Sequence, residues 1–456
     1  MFFLEYKSID DYIDKICEQV RFKKAHNQIA KEIENHIIEQ KESFLKYGLN
    51  EKEALEKAIN EMGDAILVGE KFNEVYKPKI NWNIIFFVSI ISIIFTIVQG
   101  LFSLYAKNSV YDIYPTNTKY IIWEITNILI GILVMILVCY IDFTKILKYS
   151  FFMYIINITL LILSIPNVNS YNMWIGTERM AMIMFCFLPL FFGGIVYSNR
   201  DIGYKGFFNC LINILFPIIF VNHIKDRSVL IFYIISTTLI LIYSINKGYF
   251  KIKNKYLVSS VIILTFILIY ILSIYFFADP YYLIRIKMSF FNTDELGSGY
   301  VNYVISEILK NSKFIGSMIP LNNLDIDVNV INKLNDMIIL KLIMKFGYLS
   351  AIIFISIFLI FFTYIYNICK KQKSVLGNLA CMSIFMMLFT QFITTVQLNI
   401  FYIFPSIGLP FVSEGLIYKT YVMFNIGIFL SAYRQKSIFQ DNLKIFNLKV
   451  KLELKN

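Results

Sequence analysis

The feature that most limits what this chain can fold into is a series of long apolar runs. They recur from Trp82 to Arg434, and charged residues are almost confined to the joints between them. A bilayer hydrocarbon core of roughly 30 Å needs about 20 apolar helical residues per crossing. With 57% hydrophobic and 16% charged residues among 456, the chain carries more apolar surface than a soluble fold of this length usually buries. We therefore predict an all-α, polytopic membrane protein.

The apolar runs predict ten transmembrane helices within residues 82–435, followed by a short tail, 436–456. Their approximate ranges are 82–104, 119–142, 149–166, 179–198, 206–221, 228–246, 257–278, 337–366, 375–397 and 417–434. The fifth range is short and the eighth is long for a single span. This arrangement leaves one outer loop, 279–335, much longer than the others, and a loop of that length is more often functional than idle.

The basic residues orient the spans. If the charged N-terminal segment is cytoplasmic, most of the basic joints lie inside, as the positive-inside rule predicts. These joints contain Lys145, Lys148, Arg200, Lys205, Lys247, Lys251, Lys253, Lys255, Lys370, Lys371 and Lys373. We therefore predict a multi-pass protein of the bacterial cytoplasmic membrane with both termini in the cytoplasm. Topology also accounts for the net charge of +11, so we expect no nucleic-acid partner.

Residues 1–81 predict a small soluble helical domain. Their first residues lack the basic segment and short apolar core of a cleavable signal peptide, so we expect none. An apolar stripe predicts a helix from Gln28 to near Gly48. Asn50 is a good N-cap for a second helix over 51–62, and a third is expected over 65–76. A bundle this small buries little surface, so docking on the membrane domain or on a cytoplasmic partner would help to stabilise it.

Three strings in this prefix carry a resemblance. The sequences IENHI at 33–37, EAL at 53–55 and AINEMGD at 58–64 resemble the permease prefix domain found ahead of some bacterial membrane proteins. By itself this resemblance suggests the permease of a transporter. That interpretation is weakened because no joint is long enough for a nucleotide-binding domain and because the large loop is predicted outside.

Neither the histidines nor the cysteines indicate a metal site. His26 and His36 are expected to be ordinary solvated helix residues, and a pH-sensing role has no support. The six cysteines show neither metal-ligand nor disulfide-framework spacing. The outer loops contain acidic residues but no ligand cluster of diagnostic spacing, so no cofactor is identified and assistance by a divalent cation stays open.

The long outer loop begins with an aromatic and aliphatic segment around two cations, Arg285 and Lys287. Two interpretations are equally weighted. The segment is either an interfacial anchor with its cations at headgroup depth, or a cationic clamp for the pyrophosphate of a lipid-linked substrate, which guanidinium groups match well.

Three ionisable residues follow at the end of this loop and in the eighth run. Asp336 either caps the following helix or acts as a general base at the outer mouth of a cavity; spacing alone favours the cap. Lys341 and Lys345 are four residues apart and are expected on one face of the span. A lysine inside a span indicates function by default, and snorkelling is the alternative.

The last outer loop, 405–415, is rich in proline and glycine. Such density indicates irregular backbone, which is tolerated at membrane depth only where it lines a protein cavity. Its Glu414 is the second outer carboxylate. Two acidic groups can divide acid and base roles, depending on a distance that the sequence does not supply.

Together with the ten spans and the long loop, three strings resemble the SEDS family, the FtsW/RodA/SpoVE group of bacterial cell-wall proteins. The sequence LPFVS at 409–413 resembles the family's Leu-Pro-Phe-x-Ser-Tyr-Gly-Gly, with Arg434 as the basic residue after the last span. The sequence NDMI at 335–338, with Phe-Gly at 346–347, resembles Thr-Asp-Phe-Ile and its later Phe-Gly. The pair Gly-Tyr at 299–300 resembles Gly-Tyr-Gln, with Arg285 upstream.

The resemblance implies a peptidoglycan glycosyltransferase that polymerises lipid II on the outer face. Asp336 matches the family's essential aspartate, which would remove the proton from the acceptor GlcNAc 4-hydroxyl. The hydroxyl would then attack C1 of the donor MurNAc and expel undecaprenyl pyrophosphate with inversion. Arg285 and Lys287 are candidates to stabilise the leaving group, and Lys341, Lys345, Ser413 and Glu414 complete the expected substrate-binding set. The family also implies a class B penicillin-binding transpeptidase as partner.

The chain departs from the family pattern at several polar positions. The Gln-Pro-Ser-Glu string of span four is replaced by Glu178-Arg179 at its start, and the Glu-Glu pair before Phe-Gly is Met344-Lys345. Ser-Tyr-Gly-Gly has become Ser413-Glu414-Gly415, and Val301 replaces the Gln after Gly-Tyr. The alternative function is therefore a non-catalytic scaffold or lipid II transporter that uses the same cavity.

Overall fold

The computed structural model describes residues 8–105, 118–168, 175–221, 227–277, 283, 286–287, 299–318, 331, 336–402 and 406–436. Within these ranges the regular secondary structure is helical, and no strand occurs. This agrees with the all-α class expected from the length and period of the apolar runs. The chain divides into two compact units, which are described separately below.

The first unit contains Met1–Asn81 together with Lys371–Ser374 and a segment that starts at Tyr433. Its helices are α1 (Ile9–Gln19), α2 (His26–Lys46), α3 (Glu51–Met62) and α4 (Ala65–Tyr76). The last three lie where the sequence predicts them, and α1 was not predicted. Asn50 caps α3 by accepting from the Glu53 amide at 2.8 Å. Ile29, Ile33 and Ile37, the predicted stripe of α2, are fully buried against Tyr12 and Ile16 of α1.

The second unit contains Trp82–Lys370 and Val375–Ala432. All ten predicted apolar runs are helical in it. The helices are α5 (Trp82–Tyr105), α6 (Thr118–Tyr140), α7 (Phe143–Lys148), α8 (Ser150–Val168), α9 (Ile175–Ser198), α10 (Tyr204–Val221), α11 (Arg227–Asn246), α12 (Lys255–Phe277), α13 (Tyr300–Asn311), α14 (Ile338–Phe346), α15 (Tyr348–Lys370), α16 (Val375–Phe401) and α17 (Leu416–Arg434).

Six of these helices are long and apolar enough to cross a membrane within the described residues: α5, α6, α11, α12, α15 and α16. Three shorter apolar stretches lie in α8, α9 and α10. The centre of the unit is formed by α9, α11 and α16, which pack against one another. By contrast, α12 presents large apolar side chains outward, such as Leu264 and Phe276, as a lipid-facing helix does.

The eighth predicted span, 337–366, is wrong as a single helix. It is broken into α14 and α15 at Gly347, whose φ of 85° is a left-handed conformation that glycine adopts without strain. The span proper is Tyr348–Lys370. Lys341 and Lys345 therefore belong to the short helix α14 and lie outside the candidate span.

The described part of the long outer loop has structure of its own. Helix α13 places Val304, Ile305 and Ile308 in one apolar cluster with Leu340 of α14 and Leu398 of α16. The segment that follows α13 then bonds to the α14–α15 junction through backbone groups, including the Tyr348 amide to the Lys313 carbonyl at 3.1 Å. The loop thereby packs against α14 and bonds to its C-terminal end, and Asp336 lies just before the first residue of that helix.

Candidate functional site

Asp336 meets the last outer loop directly. The Ser413 hydroxyl donates to Oδ1 of Asp336 at 3.0 Å, across 77 residues of sequence. The N-cap position of α14 belongs to Met337, so the interpretation of Asp336 as the N-cap residue is wrong. The carboxylate is instead turned towards a second loop, and two of the three strings that carry the SEDS resemblance come together at one contact.

The geometry of Ser413 is set by a tight turn. The amides of Val412 and Ser413 both donate to the Leu409 carbonyl, and the Leu409 amide donates back to Oγ of Ser413 at 2.7 Å. Pro410 fits the second position of such a turn, and Phe411 takes the third with φ of 71°. A left-handed conformation is costly for a bulky residue, but the ring of Phe411 is buried. The Leu-Pro-Phe-x-Ser string thus forms a turn that orients the hydroxyl of Ser413.

The backbone beside Asp336 is held by Asn399, which is buried near the C-terminal end of α16. Its Nδ2 donates to the Asp336 carbonyl at 2.9 Å, and its Oδ1 accepts from the Leu340 amide at 3.1 Å. That amide is one of the free donors in the first turn of α14. The side chain of Asn399 therefore forms hydrogen bonds with the backbone both before α14 and in its first turn.

Lys341 is buried near the carboxylates of Asp336 and Glu414. Its side chain is 5% exposed and makes no hydrogen bond or ion pair with the described residues. Burial lowers the pKa of Lys341 to about 8, and the neighbouring charges of Glu414 and Asp336 oppose that change. A buried ammonium without a close partner is costly, so this cation is available to an incoming anion.

The remaining predicted residues do not join this group within the described chain. Lys345 is exposed, unlike Lys341, although both lie on α14. Lys287 is also exposed, whereas Arg285 lies outside the described residues. The structure thus brings Asp336, Lys341, Ser413 and Glu414 together and separates Lys345 from them. Their roles in binding or catalysis stay predictions.

Sequence reasoning missed the polar residues that support these groups. They are Asn399, Thr395, Ser406, Gln391 and Tyr418. The Thr395 and Ser406 hydroxyls are 2.7 Å apart, and the Tyr418 hydroxyl donates to the Gly408 carbonyl at 2.9 Å. One feature of the sequence could have identified three of them. Residues 391, 395 and 399 are polar, lie four residues apart in the otherwise apolar α16, and therefore share one face of the helix.

In the part of the chain that the structure describes, no group of three or more His, Cys, Asp or Glu side chains is placed to hold a metal ion. The five buried cysteines there lie within the apolar helices, and no disulfide is formed among the described residues. The acidic residues of the site are two carboxylates on separate loops.

Comparison with known proteins supplies a fold relationship. No protein-family profile and no curated protein sequence matches the chain. Among solved structures, a chain of a peptidoglycan synthase complex that coordinates polymerization and crosslinking matches with a TM-score of 0.55 and 11% identity, over 78% of this chain and 98% of that one.

The rod shape determining protein RodA of Thermus thermophilus also matches. Its structure gives a TM-score of 0.50 at 10% identity, covering 78% of this chain and 97% of RodA. An aspartate-to-alanine variant of the same protein gives 0.50 at 9% identity, with 78% and 98% covered. Nearly the whole of each relative is therefore matched. The chain is an all-helical, polytopic membrane protein with the fold of the SEDS protein RodA.

Proposed function

We propose that this protein is a SEDS-type peptidoglycan glycosyltransferase that polymerises lipid II into glycan strands. The observation that carries the proposal is the contact between Ser413 and Asp336. It joins the aspartate string to the Leu-Pro-Phe-x-Ser string within a RodA-like fold, and it leaves a carboxylate oriented by a hydroxyl at the outer end of the helices.

In the proposed reaction Asp336 is the general base. Its carboxylate accepts the proton of the acceptor GlcNAc 4-hydroxyl, whose oxygen forms a bond to C1 of the donor MurNAc. The bond from C1 to the pyrophosphate oxygen breaks with inversion, and undecaprenyl pyrophosphate leaves with the electron pair. Ser413 orients the carboxylate by donating to Oδ1.

The leaving pyrophosphate needs positive charge nearby. Lys341 is the described cation best suited to this role, because it is buried beside Asp336 and makes no other polar contact with the described residues. Arg285 and Lys287 are proposed to extend the cationic surface from the long outer loop. A divalent cation, if the reaction uses one, is proposed to arrive with the diphosphate, as Mg²⁺ commonly does at sites with few protein ligands.

The proposed orientation places the prefix and both termini in the cytoplasm and the site outside. It is supported by the basic joints and by the grouping of Met1–Asn81 with the basic joint Lys371–Ser374 in one compact unit. The proposed partners are a class B penicillin-binding transpeptidase on the outer side and a cytoplasmic protein that binds the prefix. The first is supported by the match to a complex that both polymerises and crosslinks.

The decisive experiment uses the purified full-length chain with lipid II and follows glycan strands by gel. Asp336→Asn keeps the shape of the side chain and removes its basicity, so chain growth should fall by about 100-fold or more. Glu307→Gln is the matched control. It removes a carboxylate from α13 that pairs with Lys310 and accepts from Asn311 on the same helix, and it should leave the rate within about twofold.

The alternative function is a scaffold or lipid II transporter. It is favoured by the loss of several of the family's polar residues, such as the Glu-Glu pair replaced by Met344-Lys345. It predicts that the chain binds or moves lipid II without extending it, and that Asp336→Asn changes neither property. Full polymerising activity in Asp336→Asn would reject the proposed role of this carboxylate.

A further inference from the structure

A second charged pair lies buried among the apolar helices, and the proposed reaction does not use it. Nζ of Lys419 on α17 lies 2.5 Å from Oε2 of Glu124 on α6, and the two side chains are 2% and 4% exposed. Charged residues within membrane helices are rare and costly. Neither residue was singled out from the sequence, although an isolated charge in an apolar run is itself a sign of function.

Three helices contribute to this buried pair. Lys419 also donates to Oγ1 of Thr96 on α5 at 3.4 Å, and Asn127 of α6 donates to the second oxygen of Glu124 at 3.1 Å. Gln99 follows Thr96 on the same face of α5 and is buried, with its Nε2 unbonded among the described residues. The ion pair is therefore the centre of a polar contact that fixes α17 against α5 and α6.

The position of Lys419 connects this contact to the candidate site. Lys419 lies in the first turn of α17, where its amide donates to the Gly415 carbonyl. The preceding residue, Tyr418, donates to the Gly408 carbonyl and lies 3.4 Å from Oε1 of Gln391 on α16. The loop between Gly408 and Gly415 is the one that presents Ser413 to Asp336.

We infer that Glu124 and Lys419 are positioning residues, whose ion pair fixes the start of α17 and thereby holds Ser413 against Asp336. Breaking the pair frees the first turn of α17 from α5 and α6. The loop then loses its fixed end, and the Ser413 hydroxyl no longer keeps its distance to the carboxylate. The expected effect on catalysis rests on the proposed function, whereas the effect on the distance between Ser413 and Asp336 does not.

The geometry is tested by disulfide formation in full-length protein that carries Asp336→Cys and Ser413→Cys. In this background the double substitution Glu124→Gln with Lys419→Met removes both charges, so no unpaired ion remains to unfold the helices. We expect the rate of disulfide formation to fall about fivefold or more. Ser431→Ala is the matched control, since it removes contacts of α17 to the Phe143 amide and Ile141 carbonyl at the other end of the helix; it should leave the rate within about twofold.

The same double substitution in the otherwise unaltered chain supplies a kinetic readout. We expect kcat for glycan polymerisation to fall while KM for lipid II changes little, because the substrate-binding cations remain. A folded double variant that crosslinks at the parent rate overturns the inference. Slowed crosslinking together with an active Asp336→Asn enzyme would instead reject the proposed function and leave the positioning role standing.

Discussion

At the scale of single residues, the site depends on side chains whose surroundings differ despite similar sequence contexts. Lys341 and Lys345 are one helical turn apart on α14, yet the first is buried and the second exposed. Asp336 accepts a hydrogen bond from Ser413, and the N-cap position that spacing favoured for it is occupied by Met337. The first two predictions test the hydroxyl of Ser413 and the ammonium group of Lys341.

The first prediction concerns the hydroxyl of Ser413. Ser413→Ala removes a donor to a carboxylate, an interaction of about 1.5–3 kcal/mol, so we expect polymerisation to slow by roughly 10- to 100-fold. Ser406→Ala is the control, because Ser406 bonds to Thr395 and to the Gly408 amide in the same loop without touching Asp336. Equal rates for the two variants would contradict the proposed role of Ser413.

The second prediction is a pH dependence from Lys341, which lies outside the span Tyr348–Lys370. Burial lowers its pKa from 10.5 to about 8, so the cation that we propose to bind the pyrophosphate is lost as the pH rises through about 8. We expect the rate to decline there, and the decline to move to higher pH in Lys341→Arg, because guanidinium stays charged. The decline should be absent in Lys341→Met, measured as a rate profile from pH 6 to 10.

The same shift in pKa affects stability in a defined direction. The folded chain releases the Lys341 proton at lower pH than the unfolded chain does, so the unfolded state binds more protons between about pH 8 and 10.5. The contribution of this residue to the free energy of unfolding therefore rises across that window. A contribution that instead fell with pH would show that the ammonium has a partner in the folded state.

At the scale of elements, the junction between α14 and α15 ends α14 before the candidate span Tyr348–Lys370 begins. Gly347 ends α14 with positive φ, and a Cβ at this position would lie 2.7 Å from the carbonyl oxygens of Lys313 and Phe314. The helix break at Gly347 and the close approach of Lys313 and Phe314 depend on each other, because the backbone turn at Gly347 is also where the segment after α13 forms its hydrogen bonds. The Phe-Gly string is thereby explained by packing and not by chemistry.

The third prediction tests this junction. Gly347→Ala combines a left-handed conformation with a backbone clash, so we expect it to lower the free energy of unfolding by more than about 1 kcal/mol. Gly316→Ala is the control, because Gly316 has φ of 96° but open space around a Cβ. Thermal unfolding in detergent should show a clearly larger loss for Gly347→Ala than for Gly316→Ala.

At the scale of the whole molecule, a RodA-like membrane unit is preceded by a helical prefix. The matched relatives are covered almost completely by 78% of this chain. The prefix is stabilised by its own core around Tyr12 and the isoleucines of α2. The side of the bilayer on which the prefix lies is part of the proposed topology, which is based on the basic joints.

The fourth prediction is the labelling pattern of that topology. Tyr47 is 81% exposed in the prefix and Phe314 is 61% exposed in the outer loop. In intact cells, a membrane-impermeant thiol reagent should label Phe314→Cys and leave Tyr47→Cys unlabelled until the cells are lysed. The unsubstituted chain measures background labelling of its own cysteines. Labelling of Tyr47→Cys in intact cells would reverse the orientation.

The sequence by itself determined the class of the protein, because bilayer thickness imposes a length and polarity on each span that can be read from composition alone. Local patterns likewise predicted α2, α3, α4 and nine of the ten apolar helices. Only the tertiary structure decided where the eighth run breaks, which lysine of α14 is buried, and that Ser413 and Asp336 meet across 77 residues. These outcomes depend on contacts between elements distant in sequence, as does the pairing of Glu124 with Lys419, and no local periodicity encodes such contacts.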